Sequence, residues 1–411
     1  MDCCKLFNGI TVVTEDIDYL NSLTIGVFIK SGSSLETKDS NGITHLTEHV
    51  ICHEFVNGAN NNGIQCNGLT TKEYMCFFVK SVYTDMHLMV ECLRCIFDPH
   101  FSVEEFSVIK SIVKREIVSF YNNDDNVMDE ILIDTHTNHN PYSLPINGTC
   151  DNIDRFSMAN VMGFFENSFV GEAIFISIAG KRASECKQIL LDKSICFNIA
   201  RGVFSSKQNE LLISHNRESK LLTFHTKNTK VKMCINGLGR LDEEKYAFQV
   251  LCAILGGTSK SVMNSIFRNE RGISYLAYCL PIFFQFGGLL FLNVDAEEKE
   301  MVYVLELMQQ IFQLFETGSI SSDDINFAKK HCINENILKH ETSSSIMTRN
   351  GLNALFGINV TVPEEMRRIN SVTDEDLARI SKKIFYQNKT ILIGTTSEHE
   401  TLSEYGCSSY S

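Results

Sequence analysis

His45-Leu46-Thr47-Glu48-His49 is the stretch on which the reading of this chain turns. In a helix, His45 and His49 stand one turn apart, at i and i+4, on one face. Two imidazoles so placed can hold one metal ion. Glu48 lies on the neighbouring edge of the helix and cannot point where both histidines point. It suits a base acting on water beside the metal better than a third ligand. The same five residues would also serve a plain surface helix, so the surrounding sequence decides between the two.

A chain of 411 residues is too long for one ordinary core, and two or three domains are expected. Apolar residues make up 44 % and charged residues 21 %, the balance of a soluble globular protein. No run approaches the roughly 20 apolar residues of a membrane span. The opening Met1-Asp2-Cys3-Cys4-Lys5 lacks the features of a signal or transit peptide. The expected location is therefore the cytoplasm, or a mitochondrion-type organelle if the sequence is already mature. Fifteen scattered cysteines, an odd number, argue for reduced thiols. Cys92-x-x-Cys95 sits among Leu88, Met89, Leu93, Ile96 and Phe97, which reads as core cysteine on an apolar helix. A net charge of −13 argues against nucleic acid as a partner and is compatible with cationic peptides.

Along the chain, Gly9–Val13 and Ser22–Ile29 have strand character, and a Gly/Ser loop then leads into a helix from Ile43. Gly58 to Asn62 reads as a turn cluster, Glu73 to Val82 as a strand, and Thr84 to Phe97 and Val103 to Phe120 as helices. Residues 156–180 and 372–394 resemble each other. In each, a polar cap starts a helix that leads to an apolar strand closing on Gly180 or Gly394. Two α+β halves follow from this repeat. The expected domains are 1–190, with the metal motif, and 216–411, joined by a linker over 191–215.

The His-x-x-Glu-His order marks the inverzincins, and the chain resembles the pitrilysin and mitochondrial-processing-peptidase family of zinc metallopeptidases, in its short single-chain form. The family's opening strand is matched by Asn8-Gly9-Ile10-Thr11-Val12-Val13, and its Gly-Ser-x-x-Glu turn by Gly32-Ser33-Ser34-Leu35-Glu36. Its signature is matched by Asn41-Gly42-Ile43-Thr44 and the five residues that follow. Its Asn-Ala-x-Thr-x-x-Glu segment appears as Asn67-Gly68-Leu69-Thr70-Thr71-Lys72-Glu73. The family's third ligand is a Glu within a Val-x-x-Glu-Ile pattern, which the resemblance carries onto Glu116 in Val113-Lys114-Arg115-Glu116-Ile117. In the C-terminal half, Leu255-Gly256-Gly257 and Phe267 to Tyr275 match family segments. They imply that Arg268 and Tyr275 contact the substrate near the scissile bond. A cation and a phenol suit a developing oxyanion.

Three departures accompany these matches. The segment between His49 and Asn67 is shorter than in relatives, which carry an extra helix there. Many relatives have a second Glu seven residues before the ligand Glu, where Ile109 stands here. Asn269 replaces a motif Glu. His53 reads as solvent-facing or capping, not as a ligand.

The resemblance implies two similar α/β-sandwich halves forming a clamshell, with one Zn2+ per chain on His45, His49 and Glu116. It implies Glu48 as the base, and Asn67, Gly68 and Leu69 pairing with substrate as an added strand. The expected activity is a zinc endopeptidase cleaving short extended or unstructured peptides, as in peptide or leader processing. It would act as a homodimer or as a heterodimer with a related subunit, with no membrane partner. The alternative is a non-catalytic or partner-dependent peptide-binding subunit.

Overall fold

A computed structural model describes residues 2–138, 140–202, 219–396 and 408–409. Twelve strands form two six-stranded sheets among these residues. The first holds β1 (Asp2–Lys5), β2 (Thr11–Asp16), β3 (Ser22–Ile29), β4 (Gln65–Thr70), β5 (Met75–Val82) and β6 (Ile174–Gly180), in the order β1-β2-β6-β3-β5-β4. The second holds β7 (Lys220–His225), β8 (Lys230–Gly237), β9 (Ala277–Phe284), β10 (Gly287–Asp295), β11 (Lys389–Thr395) and β12 (Ser408–Ser409), in the order β12-β7-β11-β8-β10-β9. Both sheets are mixed. β6 runs parallel to β2 and antiparallel to β3, and β11 runs parallel to β7 and antiparallel to β8.

The repeat seen in the sequence therefore has a structural counterpart. Helix Met158–Ser168 is capped by Ser157, with Asn160 closing the box, and leads to β6. Helix Asp374–Phe385 is capped by Thr373, with Asp376 closing the box, and leads to β11. β6 and β11 hold the same place in their sheets.

The described residues fall into two compact units that are not contiguous in sequence. One comprises Met1–Phe120, Leu144–Asn209 and Leu338–Val360, and the other Tyr121–Ser143, Glu210–Ile337 and Thr361–Ser411. The linker expected at 191–215 lies outside the described residues from 203 to its end.

In unit 1, alternation along β3 builds two layers. Leu23, Ile25, Val27 and Ile29 join Phe55, Phe77 and Val79 in one core. Phe28 joins Met347 and Phe356 on the opposite face, which the helix Ser343–Phe356 covers. Every second strand residue meets every fourth helix residue. Thr24 Oγ1 lies 2.8 Å from Ser343 Oγ, Gly26 leaves room for the Met347 side chain, and Gly351 leaves room for the Phe28 ring. The match follows from geometry, because two strand residues and four helix residues each advance about 6–7 Å.

Unit 2 repeats the arrangement with polar groups. Helix Asp124–Thr137 lies on β8 and β11. Lys232 Nζ is 2.7 Å from Asp129 Oδ1, Lys230 Nζ is 2.9 Å from Asp125, and His136 Nε2 is 2.7 Å from Asn236 Oδ1.

Two local expectations differ. The helix from Ile43 runs on to Asn60, so Gly58 sits in its last turn, held there by the burial of Ala59. The helix expected over Thr84–Phe97 breaks at Leu93. There the tight Leu93 N–H to Val90 O and Ile96 N–H to Leu93 O bonds turn Leu93 and Ile96 into the core. No helix among the described residues is long and apolar enough to cross a membrane.

Candidate metal centre

Two helices of unit 1 build the site. The helix Val103–Tyr121 buries Phe106, Ile109, Val113 and Ile117, a stripe at i, i+3, i+7 and i+11. The helix Ile43–Asn60 answers with Ile43, Leu46 and Val50, and these residues share one apolar cluster. Side chains that flank the two stripes must then meet. Glu116 sits beside Val113 and Ile117, and His45 and His49 sit beside Leu46 and Val50.

His45 Nε2 lies 3.2 Å from His49 Nε2. Glu116 Oε2 lies 3.2 Å from His49 Nε2 and 3.7 Å from His45 Nε2. Among the described residues these three are the one group of His, Cys, Asp and Glu able to hold a metal ion together. Two tetrahedral ligands of zinc at about 2.0–2.1 Å are about 3.3 Å apart, so the spacing fits that ion. The donor set, two imidazoles and one carboxylate with a fourth position open, fits it as well.

Burial, and then the neighbouring His49, hold the His45 imidazole down to about 4, so it offers a neutral lone pair. Burial also pulls His49 down, but the Glu116 and Glu48 carboxylates outweigh it and raise the imidazole above its ordinary value. The hydrogen bond to His49 in turn lowers Glu116. A metal held by these atoms would take the place of the proton between His49 and Glu116.

Glu48 is 7 % exposed and points to β4. Its Oε2 lies 3.9 Å from His45 Nε2 and accepts from Thr70 Oγ1 at 3.4 Å, while Oε1 accepts from the Cys52 thiol at 3.1 Å. Burial pushes its carboxyl above the usual carboxylate range.

The first turn of the histidine helix is fixed from outside. Its cap, Gly42, has φ +95° and no capping side chain. The buried Glu36 carboxylate accepts instead from Gly42 N at 2.9 Å, Thr44 N at 2.8 Å and Asn41 Nδ2 at 2.9 Å. The turn motif around Glu36 was visible in the sequence, but its role as a remote cap was not.

Asn67, Gly68 and Leu69 lie on β4, the end strand of the first sheet, which pairs with β5. His53 stands outside the ligand group, 3.6 Å from Glu105. Ile109 is buried in the apolar cluster, and His45 Nδ1 is buried with no hydrogen-bond partner among the described residues. Between the histidine helix and β4 the chain makes the short turn 61–64. Arg268 and Tyr275 belong to unit 2. There the guanidinium lies 4.7 Å over the Tyr275 ring, and Tyr275 is 81 % exposed. No disulfide joins two of the fourteen described cysteines.

Comparison with known proteins agrees with this picture. Residues 11–150, which hold His45, Glu48, His49 and Glu116, match the model of the insulinase family, peptidase family M16. Residues 203–332 match that of the peptidase M16 inactive domain. The chain belongs to peptidase family M16. It is 23 % identical over 399 residues to the uncharacterized zinc protease YmxG of Bacillus subtilis, covering 94 % of this chain and 96 % of that one. An uncharacterized zinc protease of Rickettsia bellii is 23 % identical over 414 residues, covering 94 % and 95 %. In fold it resembles a protease from Helicobacter pylori, with a TM-score of 0.85 at 14 % identity over 96 % of this chain and 99 % of that one. It also resembles a peptidase M16 inactive domain structure from Pseudomonas fluorescens, with a TM-score of 0.86 at 16 % identity over 97 % and 98 %.

Proposed function

We propose that this M16 chain is a zinc endopeptidase that cleaves short extended or unstructured peptides. The observation that carries the reading is the meeting of three ligand atoms from two helices with a buried carboxylate beside them. His45, His49 and Glu116 hold the ion. When bound, zinc supplies a Lewis acid that lowers the pKa of water toward neutrality. Glu48 takes the proton from water and delivers it to the leaving amine, and its burial raises its affinity for protons.

The free edge of β4 at Asn67, Gly68 and Leu69 offers main-chain pairing to an extended peptide. Such pairing reads conformation more than side chains, so unfolded peptides are the natural substrates. Arg268 and Tyr275 are proposed to hold the peptide or its developing oxyanion. The net charge of −13 favours peptides bearing Lys or Arg, a preference that salt should weaken. Described cysteines without a disulfide among them suit a reducing compartment such as the cytoplasm. A chain of similar fold belongs to Complex III2 from Candida albicans, which supports reading this chain as one subunit of a pair, with itself or with a relative. Light scattering tests that reading.

The second reading, a peptide-binding subunit that does not cleave, draws on Ile109 and the unpartnered His45 Nδ1. An imidazole without an outer hydrogen bond is a weaker ligand.

Metal analysis combined with cleavage of an unstructured peptide panel, with and without chelator, separates the two. We expect about one zinc per chain, lowered in His45→Ala, His49→Ala and Glu116→Gln. Glu48→Gln should keep zinc and lose about a hundredfold or more in turnover. Tyr275→Phe should slow cleavage without altering zinc. Zinc retained in all three ligand variants, or unchanged turnover in Glu48→Gln, would overturn the assignment. Zinc binding without any cleavage would select the second reading.

A further inference from the structure

Glu48 shares its seat with Cys52, which the peptidase reading does not use, and with Gly68, of which that reading uses only the main chain. Cys52 lies one helical turn further on, and its half-buried thiol donates to Glu48 Oε1 over 3.1 Å. From β4, Gly68 faces the same spot. A Cβ at position 68 would overlap both Glu48 Oε1 and Cys52 Sγ. With Cys52 and Glu48 placed as they are, a side chain at residue 68 would force one of the two to shift. Thr70, two residues along the same strand, donates to Oε2 at the longer distance of 3.4 Å.

We propose that Cys52 and Gly68 act as a matched pair of positioning residues for Glu48. The thiol anchors Oε1, and the bare strand backbone leaves room for it to do so. Oε2, the oxygen 3.9 Å from His45 Nε2, is thereby kept toward the ligand cluster. A free glutamate samples many rotamers, and holding one oxygen removes most of that freedom before the proton moves. The proposal rests on the reading of Glu48 as the base.

The test compares wild type with Cys52→Ala, Cys52→Ser, Gly68→Ala, the Cys52→Ala/Gly68→Ala double variant and Glu48→Gln. Three quantities are read: zinc content, kcat and KM on an unstructured peptide, and the rate at which iodoacetamide alkylates Cys52, followed by peptide mass mapping. Cys52→Ala should lower kcat about three- to tenfold, the loss of one hydrogen bond from a thiol, a weak donor. Zinc and KM should stay within about twofold, because neither ligand nor strand is touched. Cys52→Ser retains a donor and should recover most of the loss.

Gly68→Ala should also lower kcat, but by less in the Cys52→Ala background, where the missing sulfur makes room for the methyl group. Alkylation needs no activity and no metal. It should be faster in Glu48→Gln, since the adjacent carboxylate disfavours the thiolate.

Unchanged alkylation in Glu48→Gln, fully additive penalties, or a Cys52→Ser variant no better than Cys52→Ala would overturn the positioning role. Full hydrolysis by Glu48→Gln together with faster alkylation would overturn the base reading and the role built on it, while leaving the Cys52–Glu48 contact in place.

Discussion

At the scale of the residue, the site depends on side chains that lie off the ligand set. Glu36 has its two oxygens divided between donors. Oε2 takes Asn41 Nδ2 and the Gly42 N–H, and Oε1 takes the Thr44 N–H. A glutamine there must turn its NH2 toward one of these N–H groups, leaving buried donors facing each other. We expect Glu36→Gln to destabilise the protein by about 1–3 kcal/mol, read by urea unfolding. It should also weaken zinc binding, because His45 stands in the turn that Glu36 caps. An unaltered zinc affinity would show that the first turn needs no such support. The placing of His45 beside His49, with Glu48 next to them, was legible in the sequence because their spacing is local to one helix. Glu116 needed the family resemblance, since the packing of the stripes that carry it beside the histidines is not a local property. The contact of Glu48 with Thr70 was not legible at all, because it arises from the approach of β4 to the helix, which no spacing records. Cys52 stands at i+4 from Glu48 on the same helix, a spacing that permits their contact without requiring it.

At the scale of the element, each sheet is covered on one face by a single helix in fourfold register with a strand. In unit 1 the fit is steric. An alanine at Gly351 would overlap the Phe28 ring, so Gly351→Ala should cost about 1–3 kcal/mol while leaving zinc stoichiometry intact. A thermal melt and metal analysis read both. In unit 2 the fit is polar, and His136 makes it sensitive to acid. Its Nε2–H donates to Asn236 Oδ1 at 2.7 Å, and Nδ1 lies 3.0 Å from Thr390 Oγ1. Burial holds its folded-state value below the ordinary 6.5. A depressed histidine favours the folded state in its neutral form. Its contribution is fully present above about 6.5 and is lost as pH falls through the lower, folded value. The stability advantage of wild type over His136→Gln should therefore shrink between about pH 7.5 and about pH 5.5 in urea titrations. A constant difference would mean that folding leaves the proton affinity of His136 unchanged. Strands and capped helices were visible in the sequence from alternation and from Ser157 and Thr373. Which helix covers which sheet was not, because that pairing joins residues such as Thr24 and Ser343, far apart in the chain.

At the scale of the whole molecule, the chain exchanges one helix between its two sequence halves. Ser343–Phe356, from the second half, belongs to unit 1, and Asp124–Thr137, from the first half, belongs to unit 2. The internal repeat alone suggests two halves that fold separately, whereas the units described here do not follow a single cut. A fragment of residues 1–202 would leave Phe28, Cys76 and Ala179 without the cluster formed by Ile346, Met347, Leu355 and Phe356. It would also leave Ser177 Oγ without the Met347 carbonyl it binds at 2.8 Å. A fragment of residues 219–411 would leave Lys230 and Lys232, both nearly buried, without Asp125 and Asp129, and unpaired buried cations are among the most costly defects a core can hold. We therefore expect each fragment alone to lack a cooperative melt and to bind a hydrophobic dye. The 1–202 fragment should hold zinc poorly although it contains all three ligands. The two fragments refolded together should recover both the melt and about one zinc per pair, because each supplies the helix the other needs. Cooperative folding and full zinc binding by 1–202 alone would show that the exchanged helix is dispensable to the metal centre, and that the first sheet with its two site helices is a domain in its own right.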